Sequence, residues 1–129
     1  MDHPRVAVVV EDDADIRFLI SAVLEQSGFQ VVSASSGPEG VDAVRTHAPV
    51  ITTLDVSMPG FDGHEAARRI RAFSDTYIVM ITARAEQIDS LQGIQAGADE
   101  YITKPFRPRD LRARIAALLE KPRASRSSD

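Results

Sequence analysis

The sequence predicts an α/β protein in which a parallel β-sheet carries helices on both faces. Five short apolar runs, rich in β-branched residues, alternate along the 129-residue chain with segments whose apolar positions recur at helical spacing. The first run, residues 6–10, is apolar throughout, which is typical of a strand buried on both faces. Because strands that alternate with helices pair in parallel, we expect five strands and five helices in one compact domain.

The first half of the chain contains two strand–helix pairs followed by a third strand. Asp13 is suited to cap the first helix, and Gly28 is suited to end it. The second helix starts after Ser36 and ends before Pro49. The strands of this half are predicted at residues 6–10, 30–34 and 50–54, and the apolar face of the first helix consists of Ile16, Leu19, Ile20, Val23 and Leu24.

The second half continues the alternation after a loop at residues 57–63, which is dense in turn-forming residues. Gly97 is suited to end the fourth helix, by the same argument as Gly28. The predicted helices of this half span residues 64–73, 87–96 and 109–119, and the predicted strands span residues 77–81 and 100–103.

The composition is that of an ordinary globular domain and excludes several classes of function. Hydrophobic residues make up 43% of the chain and charged residues 26%, which is enough apolar material for a core. The chain has no cysteine, so disulfides, thiolate metal sites and cysteine nucleophiles are excluded. The formal charge of −4 does not favour direct contact with nucleic acid.

One domain is expected over residues 1–121, because the helical and strand periodicities continue to that point. Residues 122–129 lose all periodicity and are rich in serine and arginine, which is typical of a flexible tail or the start of a linker. The polar N-terminus and the five-residue apolar run after it cannot form a signal peptide or a membrane span. A cytoplasmic location without membrane contact is therefore expected.

Polar residues collect where the predicted strands end. Glu11 and Asp12 follow the first strand, Asp55 ends the third, Thr82 ends the fourth and Lys104 follows the fifth. Each has an ordinary explanation on its own, as a helix-start acid or a solvated surface group. Because ligands of open α/β sheets bind at the carboxyl ends of the strands, the five together indicate one polar crevice.

The charges in this crevice indicate a cation site. Three carboxylates from Glu11, Asp12 and Asp55 face one ammonium from Lys104, and like charges so close are costly without a cation or a retained proton. A hard divalent ion, Mg²⁺ first and Mn²⁺ as a substitute, would balance the excess. Such a site suits phosphoryl transfer with Asp55 as nucleophile, while Lys104 and Thr82 contact phosphoryl oxygens.

These residues lie in segments that resemble a known family. The chain is similar to the receiver domain of two-component response regulators over roughly residues 5–120. Each motif is short, but five of them occur in the right order on five predicted strands. The matching motifs are Glu11-Asp12-Asp13, Asp55 with Met58-Pro59-Gly60, Thr82-Ala83, Gly97-Ala98-Asp99, and Tyr101 followed by Lys104-Pro105-Phe106.

The resemblance implies a fold and a chemistry. The fold would be flavodoxin-like and doubly wound, with strand order 2-1-3-4-5. Asp55 would accept a phosphoryl group from a sensor histidine kinase or a phosphotransfer protein. Mg²⁺ would be bound by Glu11 or Asp12, by Asp55 and by the backbone carbonyl of Ser57. The peptide bond before Pro105 would be cis.

The resemblance also implies a switch. Phosphorylation would draw Thr82 towards the phosphoryl group and turn Tyr101 inward, which would alter the surface of the fourth helix, fifth strand and fifth helix. Without the family, Tyr101 would be interpreted as a half-buried strand aromatic. The altered surface would control an output domain or partner that the sequence does not identify, and it would support a homodimer through mixed charges. The charged residues expected on that dimer surface are Asp99, Glu100, Arg112 and Arg114.

Two positions are expected to set the lifetime of the phosphoryl group, because they would flank the path of an attacking water. These are Ser57, two residues after Asp55, and Arg84, two residues after Thr82. The three histidines, His3, His47 and His64, are interpreted as surface residues.

Other functions are less well matched. A flavin carrier needs a phosphate cradle after the first strand, where this chain has acidic residues. An aspartyl phosphatase would carry a second Asp where Ser57 stands, so no turnover of an external substrate is expected. A phosphorylation-independent interaction module of the same fold remains the alternative.

Overall fold

The computed structural model describes residues 5–83 and 97–121. Within these ranges the chain forms five strands and four helices, and the predicted fourth helix, residues 87–96, lies outside them. Strands β1 to β5 span Arg5–Val10, Phe29–Ala34, Ile51–Asp55, Tyr77–Thr82 and Glu100–Thr103. Helices α1, α2 and α3 span Ala14–Gln26, Gly37–His47 and Gly63–Arg71, and the C-terminal helix spans Pro108–Leu119.

The strands form one sheet with the order β2-β1-β3-β4-β5, and every neighbouring pair is parallel. The doubly wound order implied by the family resemblance is therefore confirmed. The order reverses between β1 and β3, so the connections from these two strands leave in opposite directions and open a crevice at their carboxyl ends. Asp55, the last residue of β3, lies at that crevice and is in register with Ile81 of β4.

Each face of the sheet is covered by its own apolar core. Val9 and Val79 point to the face that packs against α1 and the C-terminal helix. Val8 and Met80 point to the opposite face, where α2 and α3 pack. Residues 7–10 of β1 are at most 1% exposed, which confirms the prediction of a strand buried on both faces. Among the described residues, no helix is both long enough and apolar enough to cross a lipid bilayer.

The predicted ends of α1 and α2 are confirmed. The Asp13 carboxylate caps α1 by accepting hydrogen bonds from the backbone N–H groups of Asp15 and Ile16, at 2.9 and 3.1 Å. Gly28 follows α1 with φ of +97°, a left-handed conformation that favours glycine. Ser36 caps α2 through its hydroxyl.

Helix α3 ends earlier than the periodicity predicts. It stops at Arg71 rather than at Phe73. The N–H groups of Phe73 and Ser74 both donate to the carbonyl of Ile70, at 3.0 and 2.9 Å, and this closes a tight turn. Phe73 then lies beyond the helix, with 37% of its surface exposed.

Candidate functional site

The carboxyl ends of β1, β3, β4 and β5 bring together most of the polar residues that the sequence singled out. Carboxylate oxygens of Glu11, Asp12 and Asp55 all lie within 4.8 Å of one another. Glu11 is fully buried and Asp55 is 4% exposed, whereas Asp12 is exposed. Thr82, at the end of β4, is also buried. Two of the three acids are thus held away from solvent at the point where strand order reverses.

The Lys104 ammonium lies close to both buried acids, Glu11 and Asp55. Its Nζ lies 3.3 Å from Glu11 Oε1 and 3.4 Å from Asp55 Oδ2. The backbone N–H of Lys104 donates to the carbonyl of Thr82 at 2.7 Å, and the peptide bond to Pro105 is cis. Lys104 is therefore attached to the end of β4 by its backbone and faces the acids with its side chain.

The acids are electrostatically strained without a cation. Burial and the nearby charge of Asp55 raise the pKa of Glu11 to about 7. Burial also raises the pKa of Asp55, although Lys104 opposes that shift. One ammonium faces three carboxyl groups, so the site carries a surplus of negative charge once Glu11 loses its proton as pH rises through 7.

The donor set fits a divalent cation. Glu11 Oε1 is buried and, among the described residues, has no donor in hydrogen-bond geometry, although Lys104 lies close enough for ionic attraction. Glu11 Oε2 accepts from the backbone N–H of Asp13 at 3.2 Å, which holds the carboxylate in place. A hard cation prefers oxygen ligands of this kind, two of them buried and one open to solvent. Asp13 itself caps α1 and is not needed as a ligand.

The loop after β3 is held tightly against Asp55. The backbone N–H of Ser57 lies 3.4 Å from Asp55 Oδ1, and Ser57 is exposed. The N–H of Gly63 donates to the carbonyl of Val56 at 2.8 Å. A Cβ atom at Gly63 would come within 2.4 Å of the backbone carbonyl oxygen of Asp55. Only glycine at position 63 allows α3 to start so close to the acid.

His64 is buried, so its interpretation as a surface residue was wrong. It is 3% exposed, and its Nε2 lies 3.4 Å from the hydroxyl of Tyr101 on β5. Tyr101 is partly buried and packs against the core that α2 and α3 cover. A polar residue at the start of a helix is usually solvated, and nothing local distinguishes His64 from such residues. By contrast, His47 at the end of α2 is exposed as expected.

The residues assigned to a dimer surface have partners inside the chain. Glu100 forms an ion pair with Arg114 at 3.3 Å. Arg112 donates to the side chain of Gln26 at 2.6 Å. The Asp99 carboxylate accepts from the backbone N–H of Ile78 at 2.8 Å and from a side chain of α3. His3, Arg84, the predicted fourth helix and the tail at residues 122–129 lie outside the described residues.

Similarity to known sequences covers nearly the whole chain. The family model described as the response regulator receiver domain matches residues 7–116. The chain is similar to the transcriptional regulatory protein CseB of Streptomyces avermitilis, with 46% identity over 112 residues that cover 87% of this chain and 48% of that protein. The chain spans about half the length of the curated relatives it matches.

Solved structures share the fold. A CheY-like response regulator receiver domain protein of Methanospirillum hungatei superimposes with a TM-score of 0.85 at 27% identity, covering 97% of this chain and 100% of that one. The BeF3-activated N-terminal receiver domain of RstA from Klebsiella pneumoniae gives a TM-score of 0.81 at 29% identity, covering 91% of this chain and 100% of that one.

Proposed function

The chain is a response regulator receiver domain, and we propose that it works as a phosphorylation switch with Asp55 as the phosphoryl acceptor. The observation that carries the proposal is the position of Asp55, which is 4% exposed and lies beside two further acids and the ammonium of Lys104. The domain would extend over residues 1–121, with residues 122–129 leading into a linker or tail.

A divalent cation would be held by the carboxylates of Glu11, Asp12 and Asp55 and by the backbone carbonyl of Ser57. The buried Glu11 Oε1, without a hydrogen-bond donor among the described residues, supports that assignment. When bound, Mg²⁺, or Mn²⁺ in its place, would neutralise negative charge on the oxygens of the incoming phosphoryl group.

The side chains then have distinct tasks. A carboxylate oxygen of Asp55 forms the new O–P bond as the N–P bond to the phosphohistidine of the donor breaks, and the nitrogen of the donor keeps the electron pair and takes up a proton. Lys104, already 3.4 Å from Asp55 Oδ2, pairs with a phosphoryl oxygen. The hydroxyl of Thr82 donates to another. Tyr101, whose hydroxyl contacts the buried His64, is held inward as Thr82 is drawn away, and this alters the surface that contacts the output domain or partner.

The proposed donor is a sensor histidine kinase or a phosphotransfer protein, and the proposed location is the cytoplasm. The partner acting downstream would be an output domain, since the curated relatives are about twice as long as this chain. The CseB relative is a transcriptional regulatory protein, which supports a transcriptional output. A homodimer formed on phosphorylation through Asp99, Glu100, Arg112 and Arg114 would require some of their present pairings within the chain to exchange.

The switch is not proposed to turn over an external substrate. Position 57, where an aspartyl phosphatase would carry its acid–base carboxylate, is the exposed serine Ser57. Phosphoryl gain and loss at Asp55 would be the only chemistry of the domain.

Peptide mass spectrometry after incubation with acetyl phosphate, with Mg²⁺ or with a chelator, tests the proposal. We expect one phosphoryl group on the Asp55 peptide only when Mg²⁺ is present. Asp55→Asn should abolish it, and Asp42→Asn, a change to an exposed acid of α2, should leave it intact. A folded protein that takes up no phosphoryl group would favour the phosphorylation-independent interaction module instead.

A further inference from the structure

His64 and Tyr101 connect helix α3 to the edge strand β5. His64 lies in the first turn of α3, and Tyr101 lies on the edge strand β5 in register with Met80 of β4. The 3.4 Å contact between His64 Nε2 and the Tyr101 hydroxyl therefore requires the tyrosine ring to reach across β4. Both side chains are at least partly buried, so water competes poorly for this contact.

The same turn of α3 rests on the phosphoryl acceptor. Gly63, the residue before His64, donates its N–H to the carbonyl of Val56 at 2.8 Å. The Gly63 backbone is so close to Asp55 that a Cβ atom there would lie 2.4 Å from the Asp55 carbonyl oxygen. Helix α3 therefore contacts the backbone of Asp55 at one residue and the tyrosine of β5 at the next.

We propose that His64 is a positioning residue that holds the Tyr101 ring across β4. It thereby sets the equilibrium between the inward and the solvent-exposed positions of Tyr101 before phosphorylation. The first turn of α3 then links Asp55 to Tyr101 by a route separate from Thr82. The effect on phosphoryl binding rests on the function proposed above, whereas the effect on the resting position of Tyr101 does not. Loss of the hydrogen bond between His64 and Tyr101 should shift this equilibrium about five- to ten-fold towards the form with the Tyr101 hydroxyl in solvent.

The position of Tyr101 can be followed by ¹⁹F NMR of protein labelled with 3-fluorotyrosine at pH 7. The chain has two tyrosines, and Tyr101→Phe identifies which signal belongs to Tyr101. We expect His64→Leu to move that signal towards the value of a solvent-exposed tyrosine in the absence of any phosphoryl mimic. His64→Gln places an amide where Nε2 lies and should restore much of the original shift. His47→Leu is the matched control at an exposed histidine and should change nothing.

A double-mutant cycle then tests the link to Asp55. Because binding of beryllofluoride with Mg²⁺ should favour the inward position of Tyr101, His64→Leu should weaken that binding, by at most about the same five- to ten-fold. The weakening should vanish when the substitution is made in the Tyr101→Phe background, since the hydroxyl partner is already absent.

The outcomes separate the two proposals. A Tyr101 signal that is unchanged in His64→Leu, or that moves equally in His47→Leu, would overturn the role of His64. Equal weakening of beryllofluoride binding in both backgrounds would also overturn it. If beryllofluoride fails to bind the unmodified protein while His64→Leu still moves the signal, the phosphorylation switch fails and the positioning role of His64 stands.

Discussion

The guanidinium of Arg71, at the end of α3, lies 3.2 Å from the carboxylate of Asp99, which precedes β5. The same Asp99 oxygen accepts a hydrogen bond from the backbone N–H of Ile78 at 2.8 Å. Arg71 also donates to the carbonyls of Thr76 and Gly97, at 2.7 and 2.8 Å. One ion pair therefore joins α3, the start of β4 and the turn before β5, at the end of the sheet opposite the acids.

Removal of this carboxylate should destabilise the fold. Asp99→Ala leaves a strand N–H and a partly buried guanidinium without this acceptor, so we expect the free energy of unfolding to fall by about 2 to 3 kcal/mol. Urea unfolding would measure the change. Asp42→Ala, at an exposed site on α2, should stay within about 0.5 kcal/mol of the parent. Equal losses for the two variants would show that Asp99 has no special structural role.

The stability of the metal-free protein should fall as pH rises through neutrality. The pKa of Glu11 is about 7 in the folded chain against 4.5 for the ordinary carboxyl. Between pH 4.5 and pH 7, therefore, Glu11 keeps a proton in the folded state that it has lost in the unfolded state. The stability linked to that proton is complete below pH 4.5 and is lost as pH rises through 7, up to about 3 kcal/mol in all.

Glu11→Gln should abolish most of this decline, which leaves the variant more stable than the parent at pH 8 in a chelating buffer. Thermal unfolding between pH 5 and pH 8 provides the measurement. Glu39→Gln is the control, because hydrogen bonds from Ser35 lower the pKa of Glu39. Glu39 therefore titrates below pH 4.5, and this variant should keep the parent's decline between pH 5 and pH 8. A parent protein whose stability does not decline over this range would contradict the shift at Glu11.

Two neighbouring threonines of β3 should respond in opposite ways to valine. The Thr53 hydroxyl is buried and has no hydrogen-bond partner among the described residues, so Thr53→Val should raise the free energy of unfolding by about 1 kcal/mol. The Thr52 hydroxyl lies 3.2 Å from that of Thr76. Thr52→Val leaves the Thr76 hydroxyl without this contact and should lower stability by about 1 kcal/mol. Chemical denaturation of both variants measures these changes. A lower free energy of unfolding for Thr53→Val would refute the expectation for Thr53.

Glycine at position 63 should matter for the site as well as for the fold. A methyl group there would press on the Asp55 carbonyl, so Gly63→Ala should lower stability by about 2 kcal/mol or more and slow phosphoryl uptake. Gly28→Ala is the matched control, because its cost of about 1 kcal/mol comes from a φ of +97° far from the acids. Phosphoryl uptake from acetyl phosphate should be normal in Gly28→Ala. Normal phosphoryl uptake in Gly63→Ala would show that the close approach of position 63 to the Asp55 carbonyl does not matter for the site.

Local patterns were sufficient to predict most of the elements. The unbroken apolar run of β1 required a strand covered on both sides, and Asp13 and Gly28 marked the ends of α1 because capping depends on neighbouring residues only. The end of α3 was placed two residues too late, at Phe73, because its apolar side chain continued the helical spacing beyond the turn. Periodicity records which residues are apolar, and it does not record where the backbone hydrogen bonds change.

The meeting of Glu11, Asp12, Asp55 and Lys104 could be predicted from local patterns, because parallel strands place the residues that follow them at one edge of the sheet. The burial of Glu11 and the exposure of Asp12 depend on the fold, because the two acidic side chains point in different directions after β1. His64 is the clearest case. Its buried side chain contacts Tyr101, which lies 37 residues further along the chain, and solvent exposure is a property of what packs against a residue rather than of its neighbours in sequence.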